Sequence, residues 1–169
     1  MNLRVVEKED LPLVKEWRND IEYSGECQSI SQETIEDLEK QYDELAEGQW
    51  FFIEKKDGNK IGTISHRAVW KTQEIGYAVL PSERGKGYCS EAVKIMADYL
   101  FLSRDIVRIQ AHTEERNVAS RKVLERAGFK KEGTFRKEYF VRGEWRDSCL
   151  YSILREEWKK PKILTKISK

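Results

Sequence analysis

The residues best suited to chemistry in this sequence are Arg84, Gly85, Lys86, Gly87, Tyr88, Cys89 and Ser90, which follow an apolar stretch broken by Pro81. Each glycine can take a positive φ and neither carries a side chain, so several backbone N–H groups can converge where the next helix presents its own unpaired donors. Such a place binds phosphate. Arg84 before the turn and Lys86 within it add positive charge. The stretch is not the dinucleotide fingerprint G-x-G-x-x-G, because Ser90 stands at the last position, and it lacks P-loop spacing. Taken alone, it also reads as a glycine turn that only starts a helix.

The rest of the chain must position this loop. Residues 2–6 read as a strand, and residues 9–12 as a helix start with Asp10 as cap and Pro12 in the first turn. A polar connection leads to Ile30. A second helix then follows, capped by Ser31, with Ile35, Leu38, Tyr42 and Leu45 on one stripe and Gly48 as its stop. Residues 50–55 and 60–68 are β-rich runs joined through Lys56, Asp57, Gly58 and Asn59, and residues 74–80 add a third strand. After the glycine loop come a helix with Val93, Met96, Tyr99 and Leu100 on one side and a strand over 106–111. A helix over 117–127 follows, with Ala119, Val123 and Ala127 inward and Gly128 closing it. A hairpin over 129–154 turns at Arg142 and Gly143. The pattern predicts an α/β fold: one mixed sheet of about seven strands with helices on both faces.

The 169 residues, 39% of them hydrophobic, make a single domain the expectation, with a short basic tail from about Trp158. No apolar run reaches membrane-spanning length and residues 1–8 lack a secretory signal, so the expectation is a cytoplasmic protein without a membrane partner. Lys and Arg (31) nearly balance Asp and Glu (30), which argues against nucleic acid as the main partner. Cys27, Cys89 and Cys149 are odd in number and unpaired in spacing, and His66 and His112 are isolated, so neither a disulfide framework nor a metal site is expected.

A second motif lies downstream: Asn117-Val118-Ala119-Ser120 opens a helix that ends in Gly128-Phe129. With Arg84, Gly87 and Cys89, it resembles the GNAT acyl-CoA N-acyltransferases, whose pyrophosphate loop reads (Arg/Gln)-x-x-Gly-x-(Gly/Ala). Cys89 departs from that pattern. The entry Trp17-Arg18-Asn19-Asp20, the strand Glu74-Ile75-Gly76-Tyr77 and the closing Gly143-Glu144-Trp145-Arg146-Asp147 extend the likeness to the ribosomal-protein N-terminal acetyltransferase branch. The resemblance implies a sheet splayed open beside the strand ending at Leu80, with acetyl-CoA in the opening. Backbone groups of Ala78 and Leu80 would hold the pantetheine arm, and the amides from Arg84 to Ser90 the pyrophosphate. Asn117 would touch the pantetheine or an ordered water.

Acyl transfer to an amine needs a neutral amine, an oriented thioester, an oxyanion donor and a proton for the thiolate. The resemblance points to the N–H of Val79 or Leu80 as the oxyanion donor. Glu74 and Glu138 are the candidates for the base, with a surface glutamate the plainer reading of each. Leu124 stands where many superfamily members carry an acidic tyrosine. In the ribosomal-protein branch the serine of Asn-x-x-Ser is the proposed acid, which carries over to Ser120. His112 could carry a proton from a strand end. The helix N-terminus beside Arg84 and Lys86 favours a thiolate at Cys89. The branch favours a protein N-terminal amine as acceptor and admits a homodimer. Asp20, Glu22 and Glu26, with Trp17 and Tyr23, offer a setting for a cationic small amine instead. A non-catalytic acyl-CoA-binding protein and an unrelated nucleotide-binding domain are the alternative classes.

Overall fold

A computed structural model describes residues 1–45 and 48–158. Of the basic tail expected from the sequence, only Trp158 falls within them. The elements in chain order are β1 (Asn2–Val5), α1 (Leu11–Asn19), α2 (Ile21–Ser24), α3 (Ile35–Asp43), β2 (Gln49–Glu54), β3 (Lys60–Val69) and β4 (Thr72–Val79). They are followed by α4 (Tyr88–Ser103), β5 (Arg108–Glu114), α5 (Val118–Arg126), β6 (Lys130–Val141) and β7 (Glu144–Leu154). All seven strands form one open mixed sheet in the order β1-β2-β3-β4-β5-β7-β6. Among the described residues no helix is long and apolar enough to cross a membrane.

Turn chemistry fixes the hairpins. Between β2 and β3 the Asp57 carboxylate accepts the Asn59 N–H at 3.1 Å, and Gly58 takes φ 85°. Between β6 and β7, Arg142 (φ 49°) and Gly143 (φ 84°) supply the two left-handed residues of the turn favoured by strand twist. A bulge interrupts β6, where the register jumps between Phe135 and Tyr139 and Lys137 sits at φ 55°.

The helix caps correct two expectations. Asp10 precedes α1 but its side chain does not cap that helix; it accepts the Glu7 N–H at 3.0 Å in the capping box of the preceding turn and binds Arg4 at 2.8 Å and Lys60 at 3.0 Å. Thr34, not Ser31, caps α3, through a reciprocal box in which its Oγ1 accepts the Asp37 N–H at 3.1 Å and its own N–H donates to Asp37 at 2.9 Å. Asn117 caps α5 by accepting the Ser120 N–H at 3.0 Å, and Gly128 (φ 96°) ends it. In α5 the buried residue is Leu124, while Ala119 is exposed and Val123 and Ala127 are half-buried.

The sheet is covered on both sides, which explains the unbroken apolar run Trp50-Phe51-Phe52-Ile53. Phe51 and Ile53 join Ile64, Ile75, Val93, Met96, Leu100 and Leu124 in one core under α4 and α5. Trp50 and Phe52 join Val14, Trp17 and Leu38 in a second core under α1 and α3.

The sheet opens at its parallel seam. β4 and β5 are in register only at Gln73–Ile109 and Glu74–Gln110, whereas β5 runs on to Glu114 against β7. From Ile75 to Val79, β4 therefore has one free edge.

Candidate active site

The free edge of β4 determines which backbone groups face the opening. Leu80 N–H donates to Ile61 C=O at 2.9 Å across the β3 side, and strand alternation gives Ala78, opposite Thr63, the same direction. Tyr77 and Val79 point their amides the other way. This corrects the expectation that Ala78 and Leu80 present backbone groups to the opening and leaves the Val79 N–H, not that of Leu80, as the oxyanion candidate. The cause is the period of two: a shift of one residue exchanges the faces.

At the end of β4 the chain passes through a short 3₁₀ turn over Pro81–Glu83 into the glycine loop. Gly85 and Gly87 have φ of 77° and 87°, and a Cβ added at either would meet no atom within 4 Å. The first bond of α4 runs from Glu91 N–H to Gly87 C=O at 3.2 Å, so the amides of Tyr88, Cys89 and Ser90 precede it. Beside them the Ser90 Oγ is buried without a hydrogen-bond partner. Open space, uncommitted amides and an orphaned hydroxyl together fit an anion of phosphate size.

The two cations of the loop are already engaged. Arg84 donates to the Glu22 carbonyl at 2.6 Å and the Tyr23 carbonyl at 2.8 Å, and Lys86 pairs with Glu83 at 3.2 Å. Cys89 departs from expectation: burial pushes its thiol up to about 11 despite the charge of Arg84, so it is a thiol, not a thiolate.

A cleft of about 710 Å³ occupies the splay, lined by Tyr77, Val79, Gly87, Ser90, His112 and Ser120 among others. The segment after α2 roofs it and is tied down from two sides. Arg84 holds α2 as described. From the β6–β7 hairpin, Arg142 donates to Gly25 C=O at 2.9 Å, Arg146 donates to Glu26 C=O at 3.1 Å, and Phe140 C=O accepts from Ser29 Oγ at 2.7 Å.

The three catalytic candidates separate onto two faces of the sheet. Ser120 and Tyr77 share a hydroxyl–hydroxyl bond on the α5 side. Glu74 and Glu138 lie on the opposite face, joined through His112, whose Nδ1 is 3.2 Å from Glu138 Oε2 and whose Nε2 is 3.7 Å from Glu74 Oε2. Ser148 Oγ donates to the same Glu138 oxygen. Burial works against the charge on Glu74, but hydrogen bonds from Arg67 and Gln110 outweigh it and hold its pKa below the ordinary value. Burial, then the charges of Glu138 and Glu74, push the nearby Tyr139 up to about 12. His112 lines the cleft, and the two glutamates stand behind it.

Sequence reasoning did not single out Glu114, which lines the cleft with 3% exposure. Its Oε1 accepts the Arg116 N–H at 3.0 Å, and its Oε2 lies 3.7 Å from Arg146. Burial, reinforced by Glu114, raises the Cys27 thiol to about 11. The signal was the alternation of β5, which puts Gln110, His112 and Glu114 on one face.

Comparison with known proteins agrees with this architecture. A family model described as the acetyltransferase (GNAT) domain matches residues 1–130. The chain is 39% identical over 105 residues to the probable N-acetyltransferase YjcK of Bacillus subtilis (strain 168), a match covering 60% of this chain and 58% of that protein. The match thus spans about three-fifths of that relative's length. Among solved structures, the fold is similar to spermidine N-acetyltransferase from Vibrio cholerae in complex with CoA and spermine. The TM-score is 0.81 and identity is 23%, over 92% of this chain and 96% of that one. It is also similar to ribosomal-protein-S5-alanine acetyltransferase from Vibrio fischeri, with a TM-score of 0.80 and 26% identity over 94% of each chain. With the family model spanning both the splayed seam and the glycine loop, this chain belongs to the GNAT acetyltransferase domain family.

Proposed function

We propose that this chain transfers the acetyl group of acetyl-CoA to a primary amine, and that the acceptor is a small cationic amine. The observation that carries the acceptor assignment is the division of charge along the cleft. Its cationic side chains Arg84, Lys122 and Arg126 come from the glycine loop and α5, where the lining acid, Glu83, is paired with Lys55 and Lys86, whereas Glu26 and Glu114 come from the roof segment and the end of β5. The anionic phosphates of the donor suit the first set, and an ammonium group suits the second.

The residues present fit the donor. The loop amides and Ser90 would take the pyrophosphate, the free edge of β4 at Tyr77 and Val79 would accept the amide-rich arm as an added strand, and Asn117 would line its path. When bound, the donor supplies an activated acyl carbon. The Val79 N–H is aimed to stabilise negative charge on the thioester oxygen.

The second reading is a protein N-terminal amine, favoured by the 26% identical Vibrio fischeri likeness and by the closing-strand residues Gly143 to Asp147. Thiol release with acetyl-CoA separates the two. A kcat/KM for spermidine or a diamine at least tenfold above that for an alanine-initiated peptide supports the small-amine reading, and the opposite ratio replaces it with the N-terminal one. Silence with every amine despite tight CoA binding points to a non-catalytic acyl-CoA-binding protein.

A further inference from the structure

We infer that His112 is the general base of this site, and that Glu74 and Glu138 act on it as positioning residues instead of meeting the acceptor themselves. The inference rests on the acetyl-transfer reading and deepens it.

The geometry is specific. Neither glutamate is among the residues lining the cleft, and His112 is. A carboxylate cannot donate, so the 3.2 Å contact assigns the Nδ1 proton of His112 to a hydrogen bond with Glu138 Oε2, which Ser148 Oγ also donates to. This fixes the tautomer that leaves the lone pair on Nε2. Nε2 makes no competing hydrogen bond to Glu74, since 3.7 Å is too long, and Glu74 Oε2 is already taken by Gln110 at 3.1 Å. Glu74 is further held by Arg67 at 2.5 Å. The ring is 17% exposed by its side chain and packs on Phe135 at 5.4 Å, so it is held while remaining open on one side. The charged and titratable groups around it are Arg67 from β3, Glu74 from β4, Glu138 and Tyr139 from β6, and, farther along its own strand, Glu114 with its partner Arg146 from β7.

The step balances. Nε2 of His112 takes one proton from the acceptor's ammonium group, giving a neutral amine. The amine lone pair forms the new C–N bond at the thioester carbon. Collapse breaks the C–S bond, the proton remaining in excess on nitrogen passes to the departing CoA sulfur, and the His112 proton returns to solvent. Throughout, the Glu138 carboxylate keeps its hydrogen bond to Nδ1 and so holds the ring in place.

The test uses the full chain with acetyl-CoA and a series of primary amines. His112→Ala is expected to lower kcat by about 100-fold or more with KM for acetyl-CoA within twofold, and added imidazole to restore part of the rate. Glu138→Gln is expected to lower kcat about tenfold with KM for acetyl-CoA within twofold, and Glu138→Asp to restore most of the rate. Nitrogen NMR of the histidines in the wild-type protein should show the His112 proton on Nδ1, a readout independent of turnover. If His112→Ala destabilises the fold, His112→Gln is measured in its place, with CoA affinity as the control. Retention of kcat within threefold by a folded His112 variant, or a proton on Nε2, overturns the inference while leaving the acetyl-transfer reading intact. A wild-type chain that acetylates no amine overturns both.

Discussion

The Tyr77 and Ser120 hydroxyls lie 2.9 Å apart, linking the free edge of β4 to the first turn of α5. Burial holds the Tyr77 phenol well above its ordinary pKa, so it acts as a donor or relay and not as an anion. With Leu124 apolar, we propose this pair as the relay that carries the proton leaving the amine nitrogen to the departing sulfur. Ser120→Ala is expected to lower kcat about tenfold to 100-fold with little change in KM for acetyl-CoA. Steady-state kinetics check this, and an unchanged kcat would remove Ser120 from the mechanism.

The glycine loop makes a distinct prediction. At Gly87 a Cβ meets nothing, so Gly87→Ala costs roughly 1–2 kcal/mol through the left-handed backbone alone. Relaxation of the loop out of that conformation would misdirect its amides. KM for acetyl-CoA should rise several-fold while kcat at saturation holds, with the acceptor KM as the control.

Arg84 joins the glycine loop to the cleft roof through the carbonyls of Glu22 and Tyr23. Arg84→Ala should therefore weaken acceptor binding as well as donor binding. Hydrogen exchange over residues 22–29 should speed up at the same time. A variant affected only in its acetyl-CoA KM would count against a structural link between the two ends of the cleft.

Asp10 gives a stability prediction with a defined pH window. Burial opposes its charge, but hydrogen bonds from Arg4, the Glu7 amide and Lys60 outweigh this and bring its pKa to about 2. A depressed carboxyl stabilises the fold above its unfolded pKa, and this contribution disappears as pH falls through the folded value. Asp10→Asn should cost roughly 1–2 kcal/mol at pH 7, and the gap from wild type should close between about pH 4 and pH 2. Denaturant titrations across that range measure it.

Gly62 is fixed by contact. A Cβ there would fall on the Ala78 carbonyl and within 2.8 Å of the Val79 Cα, both backbone atoms of the strand bordering the cleft. Gly62→Ala should cost about 1–3 kcal/mol and lower the unfolding midpoint by several degrees.

What the sequence disclosed was mostly local. The turn at Asp57-Gly58, the turn at Arg142-Gly143, the Asn117 cap and the glycine loop are each written in a few consecutive residues, and all stand where their chemistry puts them. What it withheld depends on register or on distant partners. The backbone direction of Ala78 turns on a parity that only the Leu80–Ile61 hydrogen bond fixes. Glu74, His112 and Glu138 read as separate surface residues because three different strands bring them together. Cys89 was misjudged because a helix terminus and two cations are visible in sequence, whereas the burial that outweighs them is not.

The two-pair seam between β4 and β5 has a mechanical meaning. On one side of it stands the antiparallel meander β1-β2-β3-β4, and on the other the antiparallel trio β5-β7-β6. Each plate is stiffened by its own ladder, and a short weld joins them within the sheet. A donor seated along Tyr77 and Val79 would act as the missing rung, so occupancy would set the rigidity of the whole molecule. Slow amide exchange along β4 and a higher unfolding temperature on adding CoA would then be one effect seen twice.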